Sequence, residues 1–386
     1  MIKRYISIAF CICIACSFIG CNTAFKDHTS LYTLSLHDTG KEIQLPLSFL
    51  LDTLEVVRLE SKEDAYSKMF RIFVSENYIG TSGYREPYKL FDRQGRYIGN
   101  VGNYGQGPGE YQTIYHSEID EKNGIIYITT FDTSKILAYD LSGNFLPDQC
   151  IPLASHSPKA ICYVDRAMER VTVFNLPFKG KQTRLCWIQD LSGTILQEVL
   201  AQHHALRPDF SNEIESYRNS EAFDFKLSPY VQTKQDTLYH YDTVQNCLTP
   251  VFTLNTPIKS DEIYSYVELP SHYLASIKTI KSGANPDTDI ADISLILADK
   301  ANRKSQYVRV LNDYLGNWEV DPMYLTHFIR NGYFVYKMEP VELKEKLQLA
   351  LENNELSSDM RSLINKLNNE INNNDNNIIL IGKLKK

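Results

Sequence analysis

The chain has 386 residues, 43% hydrophobic and 23% charged, with a formal net charge of −7. Removing residues 1–20 takes away Lys3 and Arg4 and no acid, leaving 38 basic against 47 acidic side chains, a balance of −9. Basic residues cluster only at Lys383, Lys385 and Lys386, so no cationic stripe follows a phosphate backbone and nucleic acid is excluded as a partner. Cys150, Cys162, Cys186 and Cys247 show no CxxC spacing, which removes zinc ribbons and thioredoxin-type redox chemistry.

The N-terminus supplies an address. Lys3 and Arg4 precede an apolar run, Ile6 to Ile19, the pattern of a secretion signal over residues 1–20 and too short to span a bilayer. The run ends Ser17, Phe18, Ile19, Gly20, Cys21, which resembles a bacterial lipobox. That resemblance implies cleavage before Cys21 and acylation of its thiol, giving a lipoprotein anchored to the cell envelope by lipid. Residues 21–42 are expected to be a tether and 43–386 the folded domain, with Asp52 to Leu59 as a strand that pairs with the chain's far end.

A strand-and-turn cassette follows four times: PYKLFDRQG from Pro87, KILAYDLSG from Lys135, RLCWIQDLSG from Arg184 and TLYHYDTVQ from Thr237. Its aspartates, Asp92, Asp140, Asp190 and Asp242, are 48, 50 and 52 residues apart (140−92, 190−140, 242−190). The alternating apolar residues fit a pleated surface. Asp can bond the amides just beyond it, and Gly can take the positive φ that reverses the strand. Further strands flank each cassette, at Tyr78 to Ser82, Ile125 to Thr130 and Arg170 to Asn175 before it, and at Arg96 to Val101 and Thr194 to Leu200 after it. Strand-only repeats of about 50 residues predict an all-β, six-bladed β-propeller. The fourth copy carries Gln245 in place of Gly, so its turn must differ.

Between the first two cassettes lies Gly105, Gln106, Gly107, Pro108, Gly109, Glu110, Tyr111. It lacks the Lys-Ser/Thr and the downstream helix of a phosphate loop, so nucleotide binding fails on context. Two readings stay open: a tight interblade loop, or a binding loop in which Gln106, Pro108, Gly109, Glu110 and Tyr111 meet a ligand. His203 and His204 lie between blades and read as surface residues or as channel groups. Asp287, Asp289 and Asp292 lack the Gly and distal Glu of a calcium loop. Ser305 to Leu311 and Gly332 to Met338 read as strands of blades five and six. Val341 to Leu351 and Met360 to Ile371 have helical period and form an insertion in the last blade, about 341–371, docked on the body. Ile378 to Lys385 returns as the closing strand.

The stretch Leu47, Ser48 and Leu54 to Glu60, with FDRQGRYIGNVGNYGQGPGEY at Phe91 to Tyr111, resembles the six-bladed β-propeller lipoproteins of Gram-negative gut anaerobes, a family mostly of unassigned function. Asn372 to Asn377 before IILIGKLKK is similar to that family's closing strand. The family is distantly similar to NHL-repeat propellers, which include ligand-binding and lyase members. The resemblance implies a lipid-anchored envelope propeller, at the outer membrane on its periplasmic or surface face. From these readings we expect a non-enzymatic binding module for a peptide, glycan or protein partner, with no cofactor and no metal. The alternative is a lyase- or lactonase-type propeller enzyme with a metal in the central channel, and a third possibility is a structural subunit of an envelope complex.

Overall fold

The computed structural model describes residues 31–386 apart from 70, 230–235, 258, 260, 282–289 and 354–355. The expected signal peptide, Cys21, Asp287 and Asp289 lie outside these residues. Six antiparallel sheets of at least four strands follow one another along the chain as the blades of a six-bladed β-propeller. Blades 1 to 5 take residues 71–101, 114–157, 160–200, 213–254 and 262–312. Blade 6 combines Ile329–Arg330, Tyr333–Met338 and Ile378–Leu384 with Leu51–Arg58, whose residues pair antiparallel with the C-terminal strand, Ile381 opposite Glu55.

Both faces of the inner strands are buried, and the apolar side chains divide into six clusters, each between two consecutive blades. In Thr133–Asp140, for example, Leu137 and Tyr139 pack toward blade 1 while Ile136 and Ala138 pack toward blade 3. The cluster between blades 6 and 1 joins Val57, Ile379 and Ile381 to Ile72, Ile79 and Phe91, which closes the ring. Because every blade is half of two such cores, burial stabilises neighbours jointly.

The four cassettes form the third strands and the turns that follow them. Asp92 Oδ1 accepts the Gln94 and Arg96 amides, and Asp140 and Asp190 do the same for Ser142 and Asn144, and for Ser192 and Thr194. Gly95, Gly143 and Gly193 have φ of +85°, +87° and +89°. A Cβ on Gly95 or Gly143 would strike the carbonyl of Arg58 or Asn100 in the preceding blade's outermost strand, so glycine serves both the turn and the interblade approach. In the fourth copy Asp242 bonds the Val244 and Gln245 amides, and Asn246 takes the left-handed position at φ +53°.

Two features depart from the sequence expectation. Residues 32–42, expected within a tether, belong largely to the sheets. Tyr32–Leu34 runs parallel to Phe252–Leu254 as a fifth strand of blade 4, and Gly40–Pro46 runs parallel to the outer strand of blade 5. An outer strand left unpaired exposes amides and carbonyls, and the N-terminal segment covers two such edges. A fifth Asp turn, also unanticipated, sits in blade 5, where Asp299 accepts the Ala301 and Asn302 amides and Arg303 takes φ +57°.

Helix α1 (Pro322–His327) links blades 5 and 6; α2 (Pro340–Glu352) and α3 (Ser358–Glu370) lie between the second and third strands of blade 6. Leu343, Leu347, Ala350 and Ile364 bury the facing sides of α2 and α3 in the core shared by blades 5 and 6. No helix among the described residues is long and apolar enough to cross a membrane.

Candidate functional site

The Gly-rich loop joins the outermost strand of blade 1 to the innermost strand of blade 2. Asn103–Tyr104 pairs with Glu110–Tyr111, and the Gly105 amide bonds the Tyr111 carbonyl at 3.0 Å. Tyr111, expected to face a ligand, instead points inward and is only 3% exposed. Its hydroxyl accepts the Tyr88 amide at 2.8 Å and donates to the Val101 carbonyl, and its ring meets Tyr139 edge-on. Burial of this apolar ring drives the inversion, because the two hydrogen bonds satisfy the one polar atom it carries inward. Gly109, at φ +73°, is covered by Phe145, whereas Gln106, Pro108 and Glu110 stay exposed. Glu110 accepts the Gly107 amide at 2.8 Å.

The innermost strands, Arg71–Val74, Ile114–Asp120, Ala160–Asp165, Glu213–Glu215, Glu262–Glu268 and Ile329–Arg330, surround the axis. The segment 216–222 after the innermost strand of blade 4 crosses to blade 6. There Asn219 Nδ2 donates to the Ile329 carbonyl at 3.0 Å, and the Asn331 amide donates to the Tyr217 carbonyl at 2.7 Å. Asp224, buried at its base, accepts the Tyr217 and Arg218 amides and so holds the segment in place. Tyr115 of blade 2 likewise reaches blade 4, donating to Glu213 at 2.8 Å. One end of the channel is thereby bridged by contacts between blades that are not neighbours.

Cations and aromatic rings from five blades line this bridged region. The Arg71 guanidinium lies 5.0 Å from the Tyr115 ring centroid, and Arg218 lies 4.9 Å from Tyr163 and 4.4 Å from Phe223. Arg330 lies 5.7 Å from Phe73 of blade 1 and 5.6 Å from Tyr217 of blade 4. His116, edge-on to Phe73 and Tyr163, has its pKa pushed down to about 3 by burial first and then by Arg330 and Arg71, so it is neutral at pH 7. His327, beside Lys278, is pushed down to about 3 in the same way, by burial and then by that cation. Glu118 accepts the Val164 amide at 3.0 Å, and burial raises its carboxyl to about 7.

No three His, Cys, Asp or Glu side chains come together as metal ligands among the described residues. His203 and His204 lie in a 3-10 turn between blades 3 and 4, with rings 4.1 Å apart, outside the channel cluster. Cys150, Cys162, Cys186 and Cys247 are free thiols, and burial raises those of Cys162 and Cys186. Linear reasoning did not identify Arg71, Arg218 or Arg330. The one sequence signal they carry is a basic residue in or next to a short innermost strand, visible only once blade boundaries are known.

These features define a six-bladed propeller whose ring is closed by an N-terminal strand and whose channel is rich in cations. The chain belongs to the DUF4934 family, a domain of unknown function whose family model matches residues 31–383. No curated protein matches the sequence. Among solved structures it is similar to a protein of Bacteroides fragilis inferred to be exported, at 15% identity and a TM-score of 0.58, covering 90% of this chain and 99% of that one. It is also similar to a DUF4221 family member from Bacteroides vulgatus, at 11% identity and a TM-score of 0.47, covering 87% and 98%. The first likeness shows the fold; the second carries no argument.

Proposed function

We propose that this protein is an envelope lipoprotein, acylated at Cys21 and held at the outer membrane, whose propeller binds a peptide, glycan or protein partner without chemical change. The observation that carries this reading is the bridged channel end. It presents guanidinium groups stacked on aromatic rings, a chemistry suited to recognising a ligand. Gln106, Pro108 and Glu110, on a loop fixed by its own hydrogen bonds, supply a second contact surface that loses little entropy on binding.

Equilibrium dialysis of the mature chain against a panel of acidic and neutral oligosaccharides and peptides, followed by mass spectrometry, tests the function. The expected result is retention of at least one panel member with its mass unchanged. Conversion of a retained compound to a product overturns the non-enzymatic reading. Cys21→Ser is expected to remove palmitate labelling and shift the protein from the membrane to the soluble fraction with its melting temperature unchanged. A variant that still fractionates with membranes and still carries label rules out the lipid anchor at this residue.

A further inference from the structure

We propose that Arg71, Arg218 and Arg330 form an oxyanion site at the bridged end of the channel and together hold a carboxylate or phosphate group of a small ligand. The inference rests on the binding-module reading above and names the chemistry of what is bound.

The three guanidinium groups differ from the interior Lys226, Lys300 and Lys159 in what surrounds them. Lys226 bonds Asp236 at 2.9 Å, Lys300 bonds Glu268 at 2.6 Å, and Lys159 bonds Glu213. By contrast, no carboxylate oxygen among the described residues lies within 4.0 Å of Arg71, Arg218 or Arg330. Their close partners are rings: Tyr115 for Arg71, Tyr163 and Phe223 for Arg218, Phe73 and Tyr217 for Arg330. The nearby Glu118 accepts the Val164 amide and feels the Arg218 charge, but it lies beyond ion-pair distance of it.

Groups from blades 1, 4 and 6 meet because the segment 216–222 carries Tyr217 to Arg330, while Arg71 acts electrostatically on Arg330, and Arg218 and Arg330 both act on Tyr163. Arg218 itself stands at φ +52°, a left-handed conformation that costs a non-glycine residue energy and that the hydrogen bonds to Asp224 hold in place. Gathering like charges in a partly desolvated space costs free energy unless an anion neutralises them. Arg71, Arg218 and Arg330 are each half-buried as residues, and burial lowers the pKa of Arg330, which makes its charge costly to leave without an anion. A guanidinium is a planar fork matched to two oxygens of a carboxylate or phosphate. Tyr115, Tyr163 and Tyr217, at most 6% exposed, back the guanidinium groups and hold them in place, and neutral His116 can donate one hydrogen bond without adding charge.

Thermal melting and calorimetric titration of the mature chain test the site, using sodium phosphate and sodium glucuronate as probes, chloride at equal ionic strength as reference and glucose as the uncharged control. The expected result is a saturable rise in melting temperature with phosphate, glucuronate or both, and none with glucose. Response to phosphate alone assigns a phosphate ligand, response to glucuronate alone a carboxylate; either supports the site. Arg330→Gln and Arg218→Gln are expected to melt at or above the wild-type temperature in chloride, because they relieve cation repulsion, and to weaken anion binding by about 10-fold or more. Arg330→Lys is expected to restore part of the anion response. Absence of any anion response in the wild-type chain overturns the inference, as do Arg→Gln variants that melt lower in chloride. A chain that retains panel compounds in dialysis yet ignores both anions keeps the binding reading and loses only this site.

Discussion

Truncation after Asn377, which removes the strand Ile378–Leu384 together with Lys385 and Lys386, is expected to abolish the folded ring. Ile378, Ile379, Leu380 and Ile381 are at most 1% exposed, and they divide between the core shared with blade 5 and the core shared with blade 1. Losing a single buried aliphatic side chain costs about 2–5 kcal/mol, against a total stability of roughly 5–15 kcal/mol for a whole domain. The deletion also strips Leu51–Arg58 of its partner and leaves Tyr333–Met338 with an open edge, so aggregation accompanies unfolding. Circular dichroism melting and size-exclusion chromatography check this. A truncated chain that melts cooperatively at the parent temperature would show that the ring does not depend on this strand.

Tyr111→Ala is expected to cost about 3–5 kcal/mol, the range for emptying a large buried aromatic site. The cavity would open between blades 1 and 2, where Tyr111 packs with Tyr139 and beneath Gly102, and would leave the Tyr88 amide unpaired. Tyr111→Phe keeps the ring and loses only the hydroxyl, at about 1–3 kcal/mol for the two stranded backbone groups. Glu110→Ala, which removes one exposed contact to the Gly107 amide, should change stability by less than either. Denaturant titration of the three variants ranks them. Equal stability of Tyr111→Ala and wild type would contradict the buried placement and return this residue to the ligand-contact surface.

What could be read from the sequence was local. The Asp turns of blades 1 to 3 were legible because one aspartate and one glycine, three residues apart, contain the whole turn, and the glycine-free copy of blade 4 because Asp242 keeps the period. Blade 5 hid its copy because Asn302 and Arg303 replace glycine, and Asp299 lies 57 residues after Asp242 (299−242), off the earlier period. Blade 6 has no such turn because its third and fourth strands come from opposite ends of the chain. The strands Tyr32–Leu34 and Gly40–Pro46 were missed for a related reason. Their partners lie more than 200 residues away, Tyr32–Leu34 is only three residues long, and the largely exposed Gly40–Pro46 buries only Leu45. The channel arginines were the least legible, since Arg71 and Arg330 are 259 positions apart (330−71) and meet only through the ring.

The path of residues 31–58 along blades 4, 5 and 6 also sets the order in which the molecule would yield to a pull. Tension delivered through the residues before Leu31 reaches three lateral pairs on blade 4 first, Tyr32 with Phe252 to Leu34 with Leu254. It then reaches the longer run on blade 5, and only afterwards the strand that closes blade 6. Under the proposed anchor at Cys21, the segment would serve as a graded strain relief, in which two edge pairings give way before the ring itself is loaded.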